Sequence, residues 1–270
     1  MGEPSSAELE VMFRVCAAAH AAYREANGSP HRADIVAMGA DGSPTEEIDR
    51  IAETQILATL EHEEVGWDVV SEEIGQLRRG GERTLVIDPI DGSHNALRRM
   101  PFAAVSLALG RTDLAGIDIG VVHDLATGVT YWAERGKGAF RDGRPLRARA
   151  WNPKAELVFL NLGRHATPKV VGWAGRARRV RSLGCASLEM IMVAQGSADG
   201  YFFENDVDAR NLRVTDIAGA YRIVQEAGGG VANAGLESLE PFPLELGRRT
   251  SVFAWGDPHF RDDARTQGFV

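Results

Sequence analysis

Asp88 and Asp91 stand two residues apart, with Pro89 and Ile90 between them and Gly92-Ser93 directly after. Paired carboxylates offer hard oxygen ligands suited to a small divalent cation. Gly92 can take a backbone conformation closed to other residues. Ser93 or Asn95 can cap a short helix reaching Arg98. The amides at such a helix start attract an anion. Read alone, this string is also an ordinary polar turn, in which Asp88 caps and Asp91 faces water. The preceding run Thr84-Leu-Val-Ile87 changes the balance, because it predicts a buried strand that delivers both acids to a rigid turn.

Three more acids could join them. Glu72 follows the apolar run ending at Ser71, and also reads as half of a solvated glutamate pair. Asp49, in Pro44-Thr-Glu-Glu-Ile-Asp49, reads equally as a first-turn acid favoured by the helix dipole. Asp216 has the same ordinary role at the start of an apolar helix. A cluster of acids has one further use. A phosphate monoester repels hydroxide, and divalent ions neutralise it, polarise its oxygens and lower the pKa of bound water.

The string Asp88-Pro-Ile-Asp-Gly-Ser93 behind an apolar strand resembles a signature of the inositol monophosphatase and fructose-1,6-bisphosphatase superfamily, which are metal-dependent, lithium-sensitive phosphatases. Asp216 through Glu226-Ala-Gly-Gly229 resembles its second signature. Leu212-Arg-Val-Thr-Asp216 and Gly39-Ala-Asp-Gly-Ser-Pro-Thr45 are similar to the archaeal-type branch with dual inositol monophosphatase and fructose-bisphosphatase activity. The resemblance spans most of residues 39–229. It implies a layered αβαβα sandwich, a homodimer and two or three Mg2+ ions per site. By resemblance, Glu72, Asp88 and the Ile90 carbonyl hold one ion, and Asp88, Asp91 and Asp216 hold another. Asp49 helps hold a weaker ion or the attacking water. Ser93, where threonine is commoner, orients that water with Glu72 for in-line displacement of the alcohol. Substrate contacts fall on Asp91, Gly92, Ser93, Arg181, Ala186 and Arg210. Arg213 precedes Asp216, and Thr215 stands where many members carry tryptophan.

Helical periodicity predicts helices over residues 5–26 and 45–64, with capping-box pairs Ser5/Glu8 and Ser43/Glu46. Residues 37–45 read as a glycine-rich loop. Strands follow over 67–71, 84–87, 102–110, 116–123 and 128–134, with a hairpin at 136–145. After about residue 150 strands and helices alternate: strands at 156–161, 179–183, 200–203, 231–233 and 250–255, helices at 168–177, 185–196, 214–227 and 257–266. The expected fold is therefore α/β: an α+β half over 1–150 and an α/β half over 151–270, joined as one compact unit.

The 270 residues are 44% hydrophobic and 25% charged, enough for a sizeable core. Acids outnumber bases 38 to 30, which argues against a nucleic-acid partner. Cys16 and Cys185 form no metal or redox spacing and read as buried thiols. The start of the chain has no basic-then-apolar leader, and no stretch is apolar enough to span a membrane, so the expected location is cytoplasmic. No dinucleotide fingerprint, P-loop or nucleophile elbow is present. His94 and His123 lack partnered ligand spacing, so structural or surface roles are expected for both. The expected function is magnesium-dependent hydrolysis of a small sugar or cyclitol phosphate. The alternatives are a nucleotide phosphatase, on 3′-phosphoadenosine 5′-phosphate for example, or a non-catalytic binding homologue.

Overall fold

A computed structural model of the chain describes residues 6–40, 42–208 and 211–270. Ser5, Asp41 and Arg210, all named above, lie outside the described residues. Helix α1 (Ala7–Gly28) is opened by Ser6, whose hydroxyl accepts from the Leu9 amide at 3.3 Å. The expected capping box at Ser43 does not form. Ile35–Met38 (β1) and Pro44–Glu46 (β2) pair as an antiparallel hairpin instead, and helix α2 is Glu47–His62. The first amides of α2 donate to backbone, Glu47 to the Asp34 carbonyl at 2.9 Å and Ile48 to that of Arg32 at 3.1 Å. The segment just before β1 satisfies those donors, so no side-chain cap is needed.

Next come β3 (Asp68–Ser71), β4 (Gly75–Leu77), β5 (Thr84–Asp91), helix α3 (Ser93–Leu97), β6 (Ala104–Gly110), β7 (Ile119–Asp124), β8 (Thr130–Glu134), β9 (Gly138–Arg141) and β10 (Arg144–Leu146). They form one sheet in the order β10-β9-β8-β7-β6-β5-β3-β4, in which only β3 and β5 pair in parallel. The second half gives β11 (Val158–Leu160), α4 (Pro168–Ala174), β12 (Val180–Arg181), α5 (Ala186–Ala194), β13 (Gly200–Phe203), α6 (Val214–Glu226), β14 (Gly230–Ala232), β15 (Val252–Trp255) and α7 (Pro258–Thr266). Its sheet runs β12-β11-β13-β15-β14, with the first three strands parallel.

Alternation along each strand sets the layers. In the first sheet, Leu85, Ile87 and Leu107 pack with Leu9, Met12, Ile48 and Ile56 of α1 and α2. Val86, Ala104 and Ala108 turn the other way, toward Ile191 of α5 and Ile217 and Ile223 of α6. Phe159 and Tyr201 of the second sheet meet α5 and α6 in that same cluster. Their neighbours Val158, Leu160 and Phe202 pack instead with Val170 and Trp173 of α4 and Phe260 of α7. The result is an αβαβα sandwich, as expected. Gly219 brings α6 close: a β-carbon there would lie 2.9 Å from the Leu107 carbonyl oxygen and 2.8 Å from Ser106 Oγ. That approach sets the start of α6 beside the end of β5.

Candidate active site

Strand β5 does not stop before the acids. It continues through Pro89 to Asp91. Asp88 pairs with Ser106 and Asp91 with Ala104, so three steps on β5 match two on β6. One extra residue makes a bulge, where a proline without an amide proton is tolerated. The bulge re-aims the chain, and the Ile90 amide donates to Asp88 Oδ1 at 3.1 Å. Gly92 has φ +86 and serves as the N-cap of α3. A β-carbon there would lie 3.1 Å from both the Phe102 carbonyl oxygen and Cys185 Cβ, so space and conformation both demand glycine. Neither Ser93 nor Asn95 caps this helix. Ser93 Oγ instead lies 3.0 Å from Asp49 Oδ1 and 2.8 Å from the Ile90 carbonyl oxygen. Asn95 Nδ2 donates to the Phe102 and Leu183 carbonyls at 2.8 and 2.7 Å.

Glu72, Asp88 and Asp216 converge: each offers an oxygen, and these oxygens lie within 4.8 Å of one another. Asp88 is only 3% exposed. Burial pushes its carboxyl well above the usual range, and the charges of Glu72, Asp91, Asp216 and Asp49 push the same way. Asp216 is raised to about 6 by burial, opposed by the Arg213 amide that donates to its Oδ2 at 2.6 Å. That bond is the first-turn role expected of Asp216, and it coexists with membership of the cluster. Asp91 is raised by burial and held down by the Ser187 and Ala186 amides, at 2.6 and 3.2 Å, and by the Cys185 thiol at 3.2 Å. Asp49, 3% exposed, has an Oδ2 that is buried with no hydrogen-bond partner. Mutually repelling hard oxygen donors and an orphaned carboxylate oxygen suit a divalent cation.

Around this centre, Glu73 accepts from the Thr45 hydroxyl. Thr215 Oγ1 donates to Glu72 Oε1 at 2.7 Å, and Arg213 Nη1 lies 3.7 Å from the same oxygen. Of the residues expected to touch substrate, Arg181 is exposed and its guanidinium donates to the Val180 carbonyl at 2.8 Å. The Ala186 amide is engaged by Asp91, and Arg210 lies outside the described residues. Exposed His94 lies outside the convergent acids, as does buried His123. His123 pairs instead with His20 and Thr130, each at 2.8 Å, and burial lowers its pKa to about 4.

Sequence reasoning passed over Ser187 and Glu189, and it read Cys185 correctly as a buried thiol but not as a partner of Asp91. Glu189 accepts from the Leu183 amide at 2.6 Å, and burial raises its carboxyl to about 8. The signal was present, because Glu189 is an acid set inside the apolar run Leu188 to Ala194. Nothing local marks Thr215 as a partner of Glu72.

Residues 7–254 match the sequence model of the inositol monophosphatase family. The chain belongs to that family. It is 35% identical to a fructose-1,6-bisphosphatase/inositol-1-monophosphatase of Methanothermobacter thermautotrophicus, over 85% of each chain. It is 34% identical to a bifunctional NADP phosphatase/NAD kinase of Methanococcus maripaludis, over 81% of this chain and 42% of that protein. A solved inositol monophosphatase-fructose 1,6 bisphosphatase superposes with a TM-score of 0.80 at 28% identity, covering 94% of this chain and 96% of that one. The extragenic suppressor protein suhB of Bartonella henselae superposes with a TM-score of 0.81 at 25% identity, covering 96% of both. The protein is thus a phosphatase of the inositol monophosphatase family, and its acidic cluster could hold a metal ion. Among the described residues, no helix is long and apolar enough to cross a membrane.

Proposed function

We propose that the protein hydrolyses the phosphate monoester of a small sugar or cyclitol, of the inositol monophosphate or fructose-bisphosphate type, with Mg2+. The observation that carries this is the convergence of Glu72, Asp88 and Asp216 beside the Asp49–Ser93 pair. Glu72, Asp88 and the Ile90 carbonyl would hold one ion, and Asp88, Asp91 and Asp216 a second. When bound, such ions neutralise the phosphate, polarise its oxygens and lower the pKa of bound water. The protein's own groups do the rest. The Gly92 and Ser93 amides would bind phosphate oxygens. With its one proton turned toward Asp49 rather than the Ile90 carbonyl, Ser93 Oγ would keep a lone pair for a proton of the attacking water, with Asp49 as the terminal acceptor. Arg181, Ala186 and Arg210 would contact the alcohol part of the substrate.

A second reading, hydrolysis of a nucleotide phosphate, is supported by the NADP phosphatase/NAD kinase relatives. Two buried free thiols support a reducing compartment such as the cytoplasm, and the family resemblance supports a homodimer. The test is phosphate release from inositol monophosphate, fructose bisphosphate, NADP and 3′-phosphoadenosine 5′-phosphate, with Mg2+ and with chelator. The sugar and cyclitol esters should be the best substrates, and Asp88→Asn should lose most turnover on each. Turnover in chelator, or by Asp88→Asn at the parent rate, would end the metal reading. Preference for a nucleotide would promote the second reading.

A further inference from the structure

Glu72 sits just past β3, on the first sheet, and Thr215 lies in the first turn of α6, 143 residues later. Thr215 is 1% exposed, so its hydroxyl must find a partner inside the protein. A helical threonine ordinarily bonds back to the carbonyl three or four residues earlier. Here the hydroxyl leaves its own helix and donates to Glu72 Oε1 at 2.7 Å. The buried Arg213 guanidinium stands 3.7 Å from that oxygen and adds a compensating positive charge. Asp216, one residue beyond Thr215, supplies another oxygen of the cluster. The first turn of α6 therefore both contributes an acid and grips its neighbour.

We propose that Thr215 is the positioning residue for Glu72: its hydroxyl fixes the carboxylate so that a divalent ion meets a preformed donor set. This rests on the reading of Glu72 as a metal ligand. A glutamate side chain has three rotatable bonds, and holding one oxygen fixes where the other points. Partners that orient metal-binding carboxylates typically change metal affinity ten- to a hundredfold when removed. Thr215 touches neither substrate nor the reacting atoms in this role, and acts through Glu72 alone.

The experiment is calorimetric titration of the full chain with manganese chloride, paired with thermal unfolding in chelator. Thr215→Val should bind manganese roughly ten- to a hundredfold more weakly. Its unfolding midpoint without metal should stay near the parent's, because fewer constraints then hold the repelling acids together. Thr215→Ser, which keeps the hydroxyl, should restore the affinity. Asp88→Asn is the control for the underlying site. If Asp88→Asn binds manganese like the parent, the metal reading itself falls. If Asp88→Asn loses binding while Thr215→Val keeps it, only the role of Thr215 falls. A Thr215→Val protein that is less stable but binds metal at parental affinity likewise overturns the proposal, since the hydroxyl would then serve packing alone.

Discussion

Ser93 is the residue on which the proposed chemistry turns. Its hydroxyl has one proton and two acceptors in reach, Asp49 Oδ1 and the Ile90 carbonyl. Only donation toward Asp49 makes it a relay. The position of Asp49 was ambiguous in the sequence; the structure places it in the first turn of α2, as one of its two readings expected, and also brings it to Ser93, a contact that neither reading named. Ser93→Ala should lower kcat by roughly 10²–10⁴, the usual scale for positioned acid–base groups, with little change in KM. Ser93→Thr keeps the hydroxyl and should remain within a few-fold of the parent. Steady-state kinetics decide it: an alanine variant with parental kcat leaves Ser93 as a link between two elements and nothing more. The acids themselves were legible because each sits in a short string with its strand or helix attached. Thr215 and Cys185 were not, because their bonds to Glu72 and Asp91 span 143 and 94 residues and leave no local pattern.

At the level of elements, long periodic stretches read well and short ones did not. The apolar face of α1 was plain from Met12, Val15, Cys16 and Ala19. Strand β4 has three residues and the β1–β2 hairpin has arms of four and three, too short for alternation to show. The start of α2 was misplaced because Ser43-Pro44-Thr45 satisfies a cap pattern, while Thr45 is drawn into strand pairing and toward Glu73. Helix α5 carries its own test. Glu189 has its carboxyl raised from 4.5 to about 8, chiefly by burial. Between those values the folded protein keeps a proton that the unfolded chain has released. Stability contributed at this position therefore falls as pH rises through that window. Glu189→Gln, neutral at every pH and still able to accept from the Leu183 amide, should match the parent near the lower limit. Above about pH 8 it should be the more stable protein. Urea unfolding across that range reads the difference, and parallel profiles for the two proteins would refute it.

For the whole molecule, the layer order came from the family resemblance, whereas strand order came from neither composition nor period. Pairings such as β3 with β5 are fixed by packing between distant segments, which no single stretch records. The central cluster explains why the division near residue 150 need not make two independent bodies. It runs from Val86 and Ala108 of the first sheet, through Ile191 and Ile217 of the helices between, to Tyr201 and Ala254 of the second sheet. The converging acids straddle the same division: Glu72 and Asp88 come from the first half and Asp216 from the second. Separating the halves would strip both faces of that middle helical layer and dismantle the acid cluster together. We therefore propose that residues 1–150 and 151–270 unfold as one cooperative unit. In metal-free buffer, where ligand linkage adds nothing to either half, calorimetry should give a single transition with matching calorimetric and van't Hoff enthalpies. The fluorescence of Trp132, in the first sheet, and of Trp173, in α4, should change at the same midpoint when each is followed in a variant lacking the other tryptophans. Two separated transitions, or one tryptophan reporting ahead of the other, would mean that the shared core is weaker than the cores on either side of it, and that the acid site is lost before the fold is.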